Sequence, residues 1–434
     1  MKKTSPLQGV KSLFSDAQTF SEIGVKINPS LEGINFTEEL LAEKTVEGIK
    51  KLLSLEFCWL PTDIVEAYNN AKTETEKQEI LVGKIYSHCR LNCKGCFAKQ
   101  PDLFRGYPLI GPERILDLIE EAIQKLGTKT VKYLGPTEFF RDPDVFKWLD
   151  RLEKLGIIVS IFVKDPLFGD DDEVEQLLGD QGIHTSEELV RKLVSYQKLR
   201  ILFNFRSFDE DLTNNLVSGG YIGKKDYVGN YKIIQTRALQ LFYKYFAKRE
   251  IEKGKEARLM IINAPLVEET VDEAFDIFKY FLDRGVITCT APTMQSGCGR
   301  SLYQEADQNF LKKLHEQYAK IFAYSLQRGL ITGEYLDKYG PSPYAGIGHC
   351  VQLCSGLLIR ETGQLFRCPG ADHDEWRDKI TPEELLEKGL LWVWQRTRNY
   401  KEGSKVNIGC KAKPKIFTKE FNKKVLKFLR SFNR

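Results

Sequence analysis

Between residues 79 and 330 the chain alternates apolar runs of strand length with segments of helical period, and no other feature constrains the fold as much. The apolar runs lie at 80–86, 130–134, 157–163, 199–205, 258–263 and 286–290. Helical periodicity fills 112–126, 143–155, 186–197, 231–251, 268–284 and 306–327. Six strand–helix units in succession predict an α/β fold with a parallel sheet, either doubly wound or curved into a partial barrel. Ligands in such folds bind in the loops that leave the carboxyl ends of the strands. Those loops therefore carry the functional information.

The flanking segments read differently. Residues 1–78 form a mostly helical extension, with helical periodicity at 37–55 and 63–71. Residues 331–416 are rich in Gly, Pro, aromatics and Cys, the pattern of a small irregular domain held by a metal, because so irregular a core is marginal without a cross-link. Residues 417–434 predict a basic amphipathic helix. At 42% hydrophobic residues the 434-residue chain can bury a large core, which excludes disordered and fibrous classes. Its longest nearly apolar run, 156–163, is far short of the ~18 residues that span a bilayer. The amino end is basic and lacks a secretory apolar run. The expectation is a cytoplasmic protein.

Charge is unevenly distributed. From Lys411 to Arg434 nine Lys/Arg face one acid, Glu420, for a net +8; the whole chain's +4 leaves −4 for residues 1–410. A basic helical tail can touch a membrane surface, a nucleic acid or an acidic partner, or it can pack its apolar stripe (Phe417, Phe421, Val425, Phe428, Phe432) on the barrel. Two connections are long. Residues 164–185 carry seven acids against one Lys, and 207–229 contain four glycines. Both fit lids or binding loops, and both fit solvated excursions.

Seven of the ten cysteines fall in clusters: Cys89, Cys93 and Cys96, then Cys350, Cys354, Cys368 and Cys410. In a reducing compartment such clusters read as metal ligands rather than disulfides. The first is a Cys-x3-Cys-x2-Cys loop that also holds Asn92 and Gly95. Three thiolates can wrap a four-iron cubane and leave one iron open to substrate or cofactor. A zinc site completed by His88 or a distant ligand is the alternative. Cys58 and Cys289 sit in apolar runs and read as core.

Cys-x3-Cys-x2-Cys following the first strand of such a chain resembles the radical S-adenosylmethionine superfamily, over about residues 79–330. The resemblance implies a partial (β/α)6 TIM-like barrel. It implies that Cys89, Cys93 and Cys96 hold a [4Fe-4S] cluster whose open iron binds S-adenosylmethionine. One electron from a reductant such as flavodoxin or ferredoxin then yields a 5′-deoxyadenosyl radical that removes a hydrogen atom from substrate. The family usually places an aromatic residue before the third cysteine. This chain has Gly95 there and Phe97 after, and Phe97 is the candidate for the stacking role. The family's Gly-Gly-Glu-like turn matches Leu134-Gly135-Pro136-Thr137-Glu138 at Gly135 and Glu138. Its ribose contacts at the end of the fourth strand match Asn204, Arg206 and Ser207.

The second cluster contains Cys350-x12-Gly363-x4-Cys368, which resembles the opening of the SPASM and twitch extensions of the same superfamily. Four cysteines would saturate an auxiliary [4Fe-4S] cluster, and equally a structural zinc site. Such relatives often modify peptides, so a peptide is the first substrate expected; a nucleoside, sugar, lipid or cofactor precursor is the alternative. Cys298, in a Gly-flanked loop after the sixth strand, is a candidate hydrogen-atom donor. The contrasting class is a zinc-stapled protein that binds nucleic acid or a partner through its tail.

Overall fold

The computed structural model describes residues 52, 54–81, 83, 89, 91–96, 107–217, 230–294, 296–300, 302, 307–334, 336, 340–341, 352, 356–366, 368–371, 379–396 and 419–432. Eight strands form one sheet: β1 (Ser54–Trp59), β2 (Thr130–Pro136), β3 (Ile158–Val163), β4 (Leu199–Asn204), β5 (Leu259–Asn263), β6 (Ile287–Thr290), β7 (Gly356–Ile359) and β8 (Leu365–Phe366). Their order is β6-β5-β4-β3-β2-β1-β7-β8. Every pairing is parallel except β7 with β8. The first six strands run across the sheet in chain order, the arrangement of a partial (β/α)6 barrel that stays open.

Five of the expected strands lie where the apolar runs predict them; of the first, 80–86, residues 80, 81 and 83 are helical and the others lie outside the described residues. Residues 74–80 form a helix, and the first strand of the sheet is Ser54–Trp59. Thr73 and Glu76 explain the helix. The Glu76 amide donates to Thr73 Oγ1 at 3.1 Å and the Thr73 amide to Glu76 Oε2 at 3.2 Å, a reciprocal cap that starts a helix and not a strand. The sheet thus draws one strand from the 1–78 segment and two from the 331–416 segment, so it does not stop at either expected boundary.

Helices α1 (Thr62–Asn70), α2 (Glu74–Ile80), α3 (Pro112–Leu126), α4 (Val145–Lys154), α5 (Asp171–Leu178), α6 (Ser186–Val194), α7 (Glu210–Val217) and α8 (Tyr231–Phe242) follow the strands in turn. Further along come α9 (Ala274–Leu282), α10 (Gln308–Gln327), α11 (Pro382–Arg396) and α12 (Lys419–Phe432). α3 shows why the sequence folds this way. Pro112 opens it without forfeiting a hydrogen bond, Ile115, Leu116, Ile119, Ala122 and Leu126 recur on one buried face, and Gly127 stops it at φ 71°. The acidic 164–185 connection is folded into α5 and a short turn on either side, so it is not a loose excursion.

Strand residues alternate between two cores. Leu199, Ile201 and Phe203 pack outward under the helices, while Leu202 joins Ile262 and Cys289 on the inner face. Cys58, Leu134, Leu358 and Phe366 continue that inner layer across β1, β2, β7 and β8. An aromatic ladder ties the loops after β1, β2 and β3 together. Trp59, Tyr133, Phe139, Phe140, Phe168 and Phe242 follow one another at centroid spacings of 5.7, 5.0, 5.4, 5.1 and 4.8 Å. Each such pair adds about 0.5–1.5 kcal/mol beyond its buried area.

Helix α12 packs on α10 through Phe421, Val425 and Leu429. The side chain of Phe432, which the sequence pattern also places in the stripe, lies outside the described residues. Phe428 is half-buried at the margin of that cluster, and Phe417 lies outside the described residues. Among the described residues no helix is long and apolar enough to cross a membrane.

Candidate active site at the carboxyl ends of the strands

The first cysteine cluster lies between α2 and α3 and is held from three sides. The amides of Asn92 and Lys94 donate to the carbonyls of Val217 and Leu216, both at 2.9 Å, so the loop runs along the end of α7. Arg206, buried just beyond β4, bridges the two: its guanidinium donates to the Lys94 carbonyl at 3.3 Å and the Leu216 carbonyl at 3.0 Å. On the third side the Cys298 amide donates to the Cys96 carbonyl at 2.9 Å. Within the loop the Cys96 amide closes a turn onto the Cys93 carbonyl at 3.2 Å. Gly95 occupies that turn at φ 73°, where a Cβ would stand 2.9 Å from Leu302 Cδ2 and 3.1 Å from Pro265 Cγ. The conformation and the close packing both select glycine at the position where an aromatic residue was expected.

Three strand ends deliver polar groups to this loop. Lys164, one residue past β3, lies beside Cys93. Burial, aided by the neighbouring Arg206, holds the Lys164 ammonium below its usual range, while Cys93 pulls the other way. Its own carbonyl accepts from the Tyr231 hydroxyl at 2.9 Å, and burial, with Cys93 nearby, pushes that phenol well up. Glu138 comes from the turn after β2, beyond Gly135 at φ 104°. Burial and then Asp165 push its carboxyl well above the usual carboxylate range, with Arg141 opposing. Its Oε2 is shielded from solvent and has no hydrogen-bond partner.

The Cys89 thiol is driven well up by burial, and Glu138, Cys93 and Cys96 add to the shift. The carboxylate and the three thiols therefore share one low-dielectric space. Among the described residues no three His, Cys, Asp or Glu side chains converge on a single-ion site.

The floor beneath Glu138 and Lys164 is a buried ionic triad. Arg141 donates to both oxygens of Asp165, at 2.6 and 2.7 Å, and to Glu173 at 2.8 Å, joining the turn after β2, the turn after β3 and α5. Behind Arg206 stands a second buried cation, Lys232. Its ammonium donates to the Ser207 carbonyl at 2.6 Å and lies 4.0 Å above the Phe205 ring; burial pushes its pKa down to about 7.

The residues expected from the fourth strand hold structure more than they face the site. Asn204 donates to the Ala264 carbonyl at 2.9 Å, tying β4 to β5. The Ser207 hydroxyl donates to Glu273 at 2.6 Å and accepts from the Asp209 amide at 3.0 Å, so it fixes the turn. Arg206 is spent on backbone carbonyls. Cys298 is exposed and is joined to the first cluster through its backbone. Cys368 is buried and its sulfur accepts from the Gly370 amide at 3.3 Å. The turn bearing Cys298 also reaches this second segment, through Ser296 Oγ to the Pro369 carbonyl at 3.1 Å. Phe97, Cys350, Cys354 and Cys410 lie outside the described residues. Lys164 and Tyr231 were not foreseen. The strand-end rule, applied to β3, singles out Lys164.

No protein-family model matches this chain, and no curated protein matches it. Solved structures do. The chain is similar to native anSMEcpe with bound AdoMet and Kp18Cys peptide, at 13% identity and a TM-score of 0.51, over 87% of this chain and 96% of that one. Streptococcus suis SuiB bound to S-adenosylmethionine aligns over 91% of this chain and 79% of that one, at 14% identity and a TM-score of 0.46. The first similarity is a shared fold; the SuiB values fall short of one.

Proposed function

We propose that this chain is a radical S-adenosylmethionine enzyme acting on a peptide. The observation that carries the reading is the convergence of Cys89, Cys93 and Cys96 with Glu138 and Lys164 in one half-buried space at the carboxyl ends of an open parallel sheet. The residues suit the group. Three thiolates would hold a [4Fe-4S] cluster and leave one iron for the amino and carboxylate groups of S-adenosylmethionine. When bound, that pair supplies a one-electron cleavage of the sulfonium carbon–sulfur bond, which starts radical chemistry at a substrate C–H bond.

This chain's own residues do the placing. Glu138, with an unpartnered shielded oxygen, is suited to accept hydrogen bonds from the ammonium of an α-amino acid. Lys164 supplies the opposite charge for its carboxylate. Arg206, Asn204 and Ser207 hold the frame: the first fixes the cysteine loop, the others the end of β4. The inner apolar layer excludes water, which strengthens these electrostatic contacts. Cys298, whose amide donates to the Cys96 carbonyl, would return a hydrogen atom to substrate. Cys350, Cys354, Cys368 and Cys410 would hold an auxiliary [4Fe-4S] cluster. The peptide substrate is supported by anSMEcpe, whose structure carries the Kp18Cys peptide in the same fold.

Anaerobic reconstitution tests the reading. The wild-type chain is expected to bind about eight iron and eight sulfide and to cleave S-adenosylmethionine with dithionite. Cys93→Ala should abolish the cleavage and retain about four iron. A colourless protein with stoichiometric zinc would refute it.

A further inference from the structure

We propose that the exposed face of α12 is the docking surface for a small acidic redox protein that delivers the electron to the cysteine loop; this rests on the radical reading above. Lys424, Lys427 and Arg430 are exposed and have no ion-pair partner among the described residues, while Lys423 pairs with Glu420 at 2.8 Å. From Lys423 to Arg430 the helix rises seven residues at ~1.5 Å each, a basic strip ~10 Å long.

Two other polyanions fit less well. An amphipathic helix binds a membrane by burying its apolar face among lipid tails. Here that face is spent inside the fold: Phe421 lies 5.0 Å from the His315 ring and 5.1 Å from Tyr318, and Val425 and Leu429 are buried beside it. A nucleic acid extends past this strip and would meet residues 1–410, whose net charge is −4. A compact acidic protein meets only the strip.

Placement gives the strip its purpose. The apolar cluster beneath α12 takes in Phe310 and reaches Leu302. Leu302 Cδ2 is 2.9 Å from the position a Cβ would take at Gly95, between Cys93 and Cys96. The docking helix and the cysteine loop thus belong to one packed block. In the step itself the carrier is oxidised by one electron and the cluster is reduced by one; no bond forms or breaks and no proton moves.

The test uses the full-length, cluster-loaded chain with Lys424→Glu, Lys427→Glu and Arg430→Glu combined, and a matching Gln set as a milder control. Cluster reduction is followed optically with reduced flavodoxin as donor, and S-adenosylmethionine cleavage is measured with dithionite. Steering by surface charge is worth ~10- to 1000-fold in association rate. The Glu set should therefore slow flavodoxin-driven reduction at least ~10-fold at low salt, with the Gln set intermediate. The difference should fade near 1 M salt, where the Debye length is ~3 Å. Dithionite-driven cleavage should match wild type. Unchanged flavodoxin rates at every salt concentration would overturn the docking surface. So would unchanged rates alongside lost binding of single-stranded nucleic acid or phosphatidylserine vesicles. If the wild type fails to cleave with dithionite, the radical reading fails and the docking proposal goes with it.

Discussion

Glu138→Gln separates a placing role from a structural one, because it should move stability and affinity in opposite directions. In the folded chain the carboxyl is buried, its Oε2 has no partner, and its proton affinity is raised well above the ordinary value of 4.5. An acid raised on folding holds its proton more tightly folded than unfolded. It therefore destabilises the fold increasingly as pH rises from the unfolded pKa toward the folded one, and contributes nothing unfavourable below both. A buried unsatisfied acceptor costs about 1–3 kcal/mol. Gln is isosteric and uncharged, so the cofactor-free variant should gain about 1–2 kcal/mol near pH 7.5 and almost nothing near pH 4. Urea unfolding across that range measures the difference. The same change removes a charge-assisted hydrogen bond to a bound ammonium, about 1.5–3 kcal/mol. Affinity of the cluster-loaded chain for S-adenosylmethionine should then fall about 10- to 100-fold by equilibrium titration. A variant that is destabilised, or whose stability change is flat with pH while affinity is retained, would refute the reasoning.

Two further substitutions probe the frame. Gly95→Ala forces a side chain into the left-handed region, ~1–2 kcal/mol, and onto Leu302 Cδ2 at 2.9 Å; thermal unfolding should show a loss of about 2–3 kcal/mol and reconstitution fewer irons per chain, whereas wild-type loading would show the loop indifferent to this position. Arg141→Leu strips the shared cation from buried Asp165 and Glu173, and the urea midpoint should report a loss of about 3–5 kcal/mol at neutral pH; a loss below ~1 kcal/mol would mean the triad relaxes freely.

The sequence is most legible where period and cap agree. α3 runs between Pro112 and Gly127 as its signals dictate, and β2 to β6 begin within a residue of their apolar runs. It misleads at Ile80, where the apolar run begins but the helix started by the Thr73–Glu76 cap still continues. It misleads again at Ser54–Trp59, because a strand whose outward face packs under helices and whose inner face lines the barrel shows little alternation of polarity. The cysteine loop was readable from spacing, and Glu138 from its turn. Arg206 was readable only as a polar strand end: nothing local says that its guanidinium binds the Lys94 and Leu216 carbonyls. The contact of Lys164 with Cys93 depends on two loops meeting, a matter of tertiary placement that no window along the chain encodes.

The position of β1 has a consequence for biosynthesis. It pairs with β2 on one side and with β7 on the other, matching Ser54 to Gly356. Contacts so remote in sequence form late and slow folding. As the chain leaves the ribosome, the outer edge of β1 must wait until the segment carrying Cys368 has been made. During that interval β1 offers unpaired backbone amides and carbonyls, a template for wrong partners. If the proposed function holds, iron loading that begins before translation ends would meet the Cys89–Cys96 loop on an unfinished sheet. Chains shortened ahead of residue 356 should be prone to aggregation.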